Sequence, residues 1–253
     1  MIPVDLSSVN AEETDPALQQ DTLYQEEQND YSLAGEDVPE AEINGETYST
    51  LEMAIDAVED GQKIKIIVEE EDLELQENLV IDKSDIKFLI DLNGKNITGA
   101  SGDAAVTISG GSAGFYDSTC EDSEDPEDPE DPEDPRGAIK AAEGQQAISA
   151  TSPGEFLDAS TKSGEITGQI VDFGARHSYV ITTSVDPVSG IGGSITMSLT
   201  VKYGDSFIYT ATPNKGYSIK QILVDGINKG TSKTGTVNWV TGAVTVKAVF
   251  YRS

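Results

Sequence analysis

Short β-rich runs separated by turn residues fill residues 64–119 and constrain the fold more than any other part of this sequence. Each run is either alternating or wholly apolar, which is the pattern of β-strands. Asn93-Gly94 and Gly110-Gly111 separate the runs and supply the positive φ angles that tight corners need. The intervals between runs are too short for the crossover helices of a doubly wound α/β sheet. We therefore predict a β-solenoid, in which short strands stack rung on rung and each rung buries the apolar side of its neighbours.

A helix is predicted immediately before the first of these runs. Asn44-Gly45 makes a turn, and Ser49 and Glu52 then fit a capping box in which the serine oxygen accepts a backbone hydrogen bond and the glutamate reaches back. Gly61 ends the helix. We expect this helix to cap the open end of the solenoid, where stacked strands would otherwise leave backbone groups unpaired. The apolar residues at helical spacing are Leu51, Ala54, Ile55 and Val58.

The charge of the chain limits its partners. The formal net charge is -30 and only 37% of the residues are hydrophobic, so part of the acid must lie in unfolded segments. We predict a disordered acidic leader at residues 1–40. A polyanion repels nucleic acid and anionic lipid, and no apolar segment approaches the ~18–20 residues of a membrane span. We therefore expect neither nucleic-acid binding nor membrane insertion. The first residues also lack the basic and apolar regions of a signal peptide.

A Glu-Asp-Pro repeat interrupts the strand pattern at residues 120–136. Proline favours extended polyproline geometry and keeps the carboxylates apart, whereas a calcium loop needs glycine turns that fold several oxygens onto one ion. We therefore expect diffuse counter-ion binding there, and we predict no metal site and no cofactor. Short apolar segments separated by glycine occur again between residues 137 and 170. The acidic tract is therefore predicted to be a long loop that leaves and rejoins a continuing solenoid.

Longer alternating strands, connected by turns such as Gly192-Gly193, follow the solenoid pattern. Short strands at this spacing indicate a small antiparallel β domain. Residues 179–253 contain three acidic and seven basic residues, in contrast to the acidic remainder of the chain. We therefore predict an all-β chain with two independent folding units, residues 41–176 and 178–253. Alternation gives the expected core of the second unit: Tyr217, Ile219, Ile222, Val224, Val237, Val246 and Val249.

The solenoid segment resembles a known family. The phrases that carry the resemblance are TYSTLEMAIDAVEDGQKIKIIV, LVIDKSDIKFLIDLNGKNITG and VTISGGSAGFYDS. They resemble the start of pectin-lyase-like right-handed β-helix modules in secreted bacterial surface proteins, and the resemblance covers residues 41–176. It implies a short right-handed parallel β-helix with three sheets and a helix that caps its N-terminal end. It does not imply an enzyme, because many such modules are non-catalytic stalks or glycan-binding surfaces.

The C-terminal strands resemble a second family. The phrases GGSITMSLTVKYGDSFIYTATPNKGYSIKQILVDG and VTVKAVF resemble the divergent internalin-type B-repeat of bacterial cell-surface proteins. This resemblance implies an extracellular β module that serves as a spacer or adhesive unit and has no known catalysis. The two resemblances together imply that the chain is extracellular or lies at the cell surface.

Few residues of the chain are candidates for catalysis. His177 lies between the two predicted units, and we interpret it as a linker or surface residue rather than a general base. Cys120 adjoins the acidic tract, whose negative potential disfavours a thiolate nucleophile. Asp91 and Asp117 could face each other on neighbouring rungs as a glycosidase carboxylate pair, but both adjoin strand ends and we favour turn capping. We predict no catalytic residue.

Function is therefore expected to reside in surfaces. We predict a non-catalytic structural or adhesive module of a bacterial secreted or cell-surface protein, with glycans or host or cell-wall surface components as partners. The alternative is a β-helix polysaccharide lyase or glycoside hydrolase, or a remnant of one. Trp239, Tyr203 and Tyr209 are the candidate glycan contacts, because aromatic rings offer flat faces to sugars. Packing within the fold is the other interpretation of the same three rings.

Overall fold

The computed structural model describes four stretches of the chain: residues 38–69, 72–121, 136–161 and 166–253. Almost all of the predicted acidic leader and of the predicted Glu-Asp-Pro loop lies outside these residues. Within them the protein is mostly β, as the sequence predicts, with one α-helix. Helix α1 and the strands of the first half are β1 (Ala41–Ile43), β2 (Glu46–Tyr48), α1 (Leu51–Ala57), β3 (Lys63–Ile66), β4 (Asp72–Glu74), β5 (Leu79–Asp91), β6 (Asn96–Thr98), β7 (Val106–Tyr116), β8 (Ala138–Lys140), β9 (Ile148–Ala150), β10 (Glu155–Leu157) and β11 (Ile170–Asp172).

Strands β3 to β10 pair in parallel with strands that lie one turn of the chain earlier or later, and we call residues 41–176 the coil module. Ile64 in β3 pairs with Ile90 in β5. Ile97 in β6 pairs with Ile139 in β8, and this turn is longer because it includes the Glu-Asp-Pro tract. One sheet has the order β10-β7-β5-β3-β1-β2, with β9 also on β7, and the other has the order β11-β8-β6-β4.

Strands β5 and β7 each bend midway, so each supplies two strand segments. The bend of β5 lies between Asp82 and Lys87, where its register with β7 shifts. Gly111 of β7 lies against this bend with a φ angle of 70°, and a Cβ there would lie 1.9 Å from the carbonyl oxygen of Lys83. Only glycine fits at such a close approach. Together with β4 or β6, each turn of the coil module therefore contains three strand segments.

Aliphatic side chains stack in columns inside the coil module. One column consists of Leu73, Ile97, Ile139 and Val171, which come from four neighbouring strands and are all buried. Each residue covers the next, so each strand buries apolar surface that it could not bury alone. The repeated strand pairing and the apolar core therefore depend on each other.

Helix α1 begins one residue later than predicted. Thr50, rather than Ser49, is the N-cap, and its Oγ1 accepts a first-turn backbone N–H at 3.2 Å. The carboxylate of Glu40 accepts the N–H of Leu51 at 3.0 Å, in place of the contact that was predicted for Glu52. Glu40 directly precedes β1 and lies eleven residues before Leu51. The spacing of residues around the start of the helix therefore does not indicate this contact. The helix is docked through its apolar face, which joins the core of the coil module: Leu51, Ala54 and Ile55.

Residues 178–253 form the second set of strands, which we call the C-terminal module. The strands are β12 (Ser178–Asp186), β13 (Gly193–Ile195), β14 (Leu199–Lys202), β15 (Phe207–Pro213), β16 (Tyr217–Val224), β17 (Ile227–Asn228), β18 (Thr234–Val237) and β19 (Val244–Arg252). Five of them form a sheet in the order β14-β12-β19-β16-β17, and three form a sheet in the order β13-β15-β18.

The C-terminal module is not wholly antiparallel, which corrects the prediction from the sequence. Strand β12 runs parallel to β19, with Ile181 opposite Val244 and Asp186 opposite Val249. Alternation of apolar and polar residues shows that a segment is a strand and which face it buries. It does not show which other strand lies beside it, least of all for the first and last strands of a module.

Most of the core predicted for the C-terminal module is confirmed. Val249 is the exception: it is half-buried and lies outside the core cluster, because β19 turns Ala248 and Phe250 inward. Each module thus has an apolar core of its own, while independent folding of the two stays a prediction. The predicted residues that lie in the core cluster or pack against it are Ile219, Ile222, Val224, Val246, Tyr217 and Val237.

Truncation of the aliphatic column should destabilise the coil module. Ile97→Ala removes a fully buried side chain between Leu73 and Ile139, and we expect the free energy of unfolding to fall by about 2–5 kcal/mol. Ile170→Ala, on β11 of the same sheet, truncates a side chain that is 56% exposed and should change the free energy by no more than about 0.5 kcal/mol. Urea unfolding followed by circular dichroism measures both, and equal losses would contradict the stacked column.

Candidate functional site

The coil module and the C-terminal module pack against each other within one compact unit, Pro39–Ser253. They share a small third apolar cluster, and we call this contact the junction. The ring of Tyr203 lies 6.2 Å from Trp239, edge to face, and 6.4 Å from Tyr179. The side chains of the junction are Leu89, Tyr116, Leu157 and Ala159 from the coil module, and Tyr179, Tyr203 and Trp239 from the C-terminal module.

A charged group lies beside the aromatic cluster. The guanidinium of Arg176 lies 4.8 Å from the centroid of the Tyr116 ring. It donates to Oδ1 of Asp205 at 2.8 Å and to the carbonyl oxygen of Tyr203 at 3.2 Å. Lys63 of β3 donates to the same carboxylate oxygen of Asp205. Because only 9% of the Arg176 side chain is exposed, its charge is balanced mainly by these protein groups rather than by water.

The backbone between the modules is held on both sides. The N–H of His177 donates to the carbonyl oxygen of Ala159 at 3.0 Å, and its own carbonyl accepts the N–H of Tyr203 at 2.7 Å. Just upstream, the N–H of Gly174 donates to Oγ of Ser160 at 2.6 Å, and that hydroxyl donates to the Gly174 carbonyl at 3.1 Å. These contacts fix the direction in which the chain leaves the coil module.

Gly204 sets how closely the modules approach. Its φ angle is 78°, and a Cβ there would lie 2.9 Å from Cδ1 of Leu89 and 3.4 Å from the Trp239 ring. Trp239, with a φ angle of 52°, is the single tryptophan of the chain. Its indole Nε1 is buried and has no hydrogen-bond partner in the described part of the chain. The intrinsic fluorescence of the protein therefore reports on the junction.

The protonation of Asp205 is linked to the stability of the junction. Burial alone would raise the pKa of Asp205, but the hydrogen bonds from Lys63 and Arg176 outweigh burial and hold the pKa below its ordinary value. A carboxyl whose pKa is lowered by folding stabilises the folded state above its unfolded pKa, which is about 3.9 for aspartate. That stabilisation is lost as the pH falls through the lower folded value.

The structure brings two of the three predicted glycan contacts together. Tyr203 and Trp239 meet in the junction, where Tyr203 is buried and Trp239 is half-buried. Tyr209 lies apart from them, buried in the core of the C-terminal module, with its ring against Gly235. Trp239 is therefore the most exposed of the three residues. Glycan contact at these residues stays a prediction.

Asp91 and Asp117 are buried at the turns that follow β5 and β7. Asp91 accepts the backbone N–H groups of Asn93 at 3.0 Å and of Ser118 at 2.9 Å. Burial raises the pKa of Asp91, and nearby Asp117 adds to the rise, while the hydrogen bonds from Ser118 and Asn93 oppose it. Both carboxylates adjoin turns and accept backbone N–H groups there, which is the capping role that the sequence favoured.

Asp117 also joins the two ends of the acidic tract. Its carboxylate accepts the N–H of Gly94 at 3.0 Å and that of Thr119 at 2.9 Å. The same carboxylate accepts the N–H of Gly137, on the far side of the Glu-Asp-Pro repeat. A carboxylate with this many backbone donors is satisfied although it is fully buried. The tract therefore leaves and returns at one point of the coil module.

The remaining candidates for catalysis lie near the junction and the tract. Nε2 of His177 lies 3.6 Å from a carboxylate oxygen of Asp158, and its ring is tilted against Tyr179 at 6.4 Å. Cys120 is half-buried in the 3₁₀ turn Ser118–Glu121. Among the described residues, no group of three or more His, Cys, Asp or Glu side chains is placed to hold a metal ion.

Comparison with known proteins bears on the C-terminal module. Residues 182–253 match a divergent InlB B-repeat domain. The second resemblance drawn from the sequence is thereby confirmed, and the match suggests a module of bacterial surface or adhesion type. No curated protein and no solved structure matches the chain, so the pectin-lyase-like resemblance of residues 41–176 stays a prediction. In the described residues no helix has the length and apolarity to cross a bilayer.

Sequence reasoning missed the charged part of the junction. Tyr203-Gly204-Asp205 contains the glycine and aspartate typical of a turn, and Arg176 is one of three arginines in the chain. Neither observation indicates that Lys63, far earlier in the chain, shares a carboxylate with Arg176. A lone arginine beside a predicted boundary between modules is the one sequence signal that could have raised the question.

Neutralising Asp205 should weaken the junction in a pH-dependent way. At pH 7, Asp205→Asn removes a carboxylate that both Lys63 and Arg176 contact, so the melting temperature should fall. The difference from the parent protein should shrink as the pH falls below about 4, because the unfolded parent then takes up a proton at Asp205, and it should vanish once the pH falls through the lowered folded pKa. Thermal melts followed by Trp239 fluorescence between pH 7 and pH 3 measure this. Asp172→Asn, at an exposed carboxylate of β11, is the control and should follow the parent at every pH.

The close approach at Gly204 can be tested against a matched glycine. Gly204→Ala and Gly216→Ala both place alanine at a φ angle of 78–79°, but only Gly204 has neighbours within 4 Å. We expect Gly216→Ala to cost about 1–2 kcal/mol from backbone strain, and Gly204→Ala about 2–4 kcal/mol because Leu89 and Trp239 must also move. The emission maximum of Trp239 should shift only in Gly204→Ala. Identical effects of the two variants would contradict tight packing at the junction.

Proposed function

We propose that this chain is a non-catalytic structural or adhesive module of a bacterial secreted or cell-surface protein, in which the coil module and the C-terminal module act as one rigid spacer. The match of residues 182–253 to a divergent InlB B-repeat domain carries this proposal, since that family is typical of surface proteins. The location outside the cell and the adhesive role belong to the same proposal.

The architecture proposed for the coil module is a short right-handed parallel β-helix of the pectin-lyase-like type. Its support is the parallel pairing among β3 to β10, the three strand segments in each turn, and the stacked aliphatic column. The strands at the two ends of the module, β1 and β11, pair antiparallel to β3 and β8. The turn that includes the Glu-Asp-Pro tract keeps the parallel pairing of Ile97 with Ile139, and Asp117 holds both ends of that tract. The described residues on either side of the tract therefore fit a single rung of the proposed helix, as a solenoid that carries an insertion requires.

The rigid-spacer part of the proposal is supported by the junction. Modules joined by free linkers move relative to each other unless their interface is large and apolar or otherwise fixed. Here the connecting backbone is hydrogen-bonded on both sides, and Arg176 is held between Tyr116 and Asp205. A surface protein gains reach from such a unit because its two modules project in a fixed direction.

Distance measurements between spin labels test the rigidity. Ile170→Cys in the coil module and Ile227→Cys in the C-terminal module place labels at exposed positions, in a Cys120→Ser background. We expect electron paramagnetic resonance to give one narrow distance distribution. Adding Arg176→Ala should broaden that distribution, because the substitution removes the contacts to Tyr116 and Asp205. A broad distribution in the protein with Arg176 intact would overturn the rigid spacer.

Binding and turnover assays separate adhesion from the alternative of a lyase or hydrolase. The whole chain is incubated with polyuronates and neutral glycans, with and without calcium. New reducing ends or unsaturated products would overturn the non-catalytic proposal. A glycan array with the same protein tests adhesion to sugars, and a sugar that binds at the half-exposed ring should change the fluorescence of Trp239. No change on binding would place the glycan elsewhere on the surface.

A further inference from the structure

The parallel pair β12–β19 joins the first and last strands of the C-terminal module. Its register runs without a break from Ile181 opposite Val244 to Asp186 opposite Val249. Strand β19 is interior to its sheet, since it also pairs with β16 on its other side. The pair thus connects the point where the chain enters this module directly to the point where it leaves.

A pulling force from the coil module enters the C-terminal module at the start of β12 and at the Tyr203 turn beside it. Arg176 and His177 are fixed to the coil module and to the Tyr203 turn, and β12 begins at the next residue, Ser178. At the other end of the module, β19 runs to Arg252. A force that separates these two points pulls β12 and β19 in opposite directions along their common axis.

Parallel geometry decides how that force is distributed. In an antiparallel hairpin pulled at adjacent ends, the strand pairs open one at a time, and each opening is a small step. In a parallel pair pulled at opposite ends, the bonds of the ladder are loaded together and must be lost in one concerted step. Forced unfolding is governed by the rate of crossing that barrier rather than by equilibrium stability alone.

Other contacts strengthen the same pair. The inward side chains Ile181 on β12 and Val246 and Ala248 on β19 are fully buried, so water cannot easily replace the ladder bonds. On the outer face, Nζ of Lys247 lies 3.3 Å from Oδ2 of Asp186 and bridges the two strands. The β12–β19 pair is therefore loaded in shear when its opposite ends are pulled. The side of the pair that faces the core is also shielded from water.

We propose that the parallel β12–β19 pair is a mechanical clamp, which lets the C-terminal module transmit tensile load along the chain without unfolding. This inference deepens the proposed function and rests on it, because a spacer at a cell surface experiences pulling forces at its ends. The force acts on the two ends of the C-terminal module. The backbone hydrogen bonds between β12 and β19 are the contacts that resist it.

Single-molecule pulling on the whole chain tests the clamp by changing only the direction of force. In a Cys120→Ser background, handles on Ser178→Cys and Ser253→Cys load β12 and β19 in shear, and both positions are exposed serines. Handles on Lys215→Cys and Ser253→Cys instead start at the end where Tyr217 pairs with Arg252, and they peel β19 from antiparallel β16. We expect a severalfold higher unfolding force for the first pair of handles at the same loading rate. Equal forces in the two directions would overturn the clamp.

Two alanine-to-glycine variants separate the clamp from general stability. Ala248→Gly lies in β19 opposite Val185, whereas Ala211→Gly lies in β15 of the other sheet, and both alanines are fully buried. We expect both variants to lower the melting temperature, because glycine weakens a strand interior. Only Ala248→Gly should lower the shear unfolding force. If both lower it equally, resistance follows global stability and the clamp is wrong, whereas the spin-label distances would still stand as the test of the rigid spacer.

Discussion

Short strands cannot bury their apolar side chains alone, and this constraint organises the coil module. Each strand gains a core only by lying in register with the strand one turn earlier, as Ile97 does between Leu73 and Ile139. The same dependence explains why a long acidic insertion is compatible with the fold. As long as Asp117 brings Gly137 back beside Gly94, the next strand pairs in register and the column continues.

Carboxylates in this protein divide between two physical roles. Most of the carboxylates in the described part of the chain are exposed, and together with the rest of the acid they give the chain its formal net charge of -30. A few are shielded from water and act as fixed acceptors: buried Asp91 and Asp117 hold backbone N–H groups at turns, and half-buried Asp205 holds Arg176 and Lys63 at the junction. A buried carboxylate is tolerated only where several donors surround it. These three residues therefore stabilise the places where the chain changes direction.

Sequence patterns predicted the local structure well. Alternation identified the strands, Asn44-Gly45 and Asn93-Gly94 were correctly assigned to turns with positive φ angles, and the start of the helix was placed to within one residue. The end of the helix was wrong, because it stops at Ala57 with Val58 as its C-cap rather than at Gly61. The apolar face of that helix was also correct. The failures were contacts between distant residues: Glu40 at the helix N-terminus, and the charged group of the junction. Contacts of this kind produce no periodic pattern in the sequence. Each partner adopts its local conformation independently of the other.

The sequence by itself determined which segments are strands, which faces they bury and where they turn, because φ and ψ preferences and apolar periodicity are properties of neighbouring residues. Only the tertiary structure decided which strands lie side by side. It placed β19 parallel to β12, and it buried Tyr203 and half-buried Trp239 in a contact between modules, although the same rings were candidates for an exposed platform. The physical reason is that burial of a ring and pairing of a strand edge depend on what the rest of the chain brings to them.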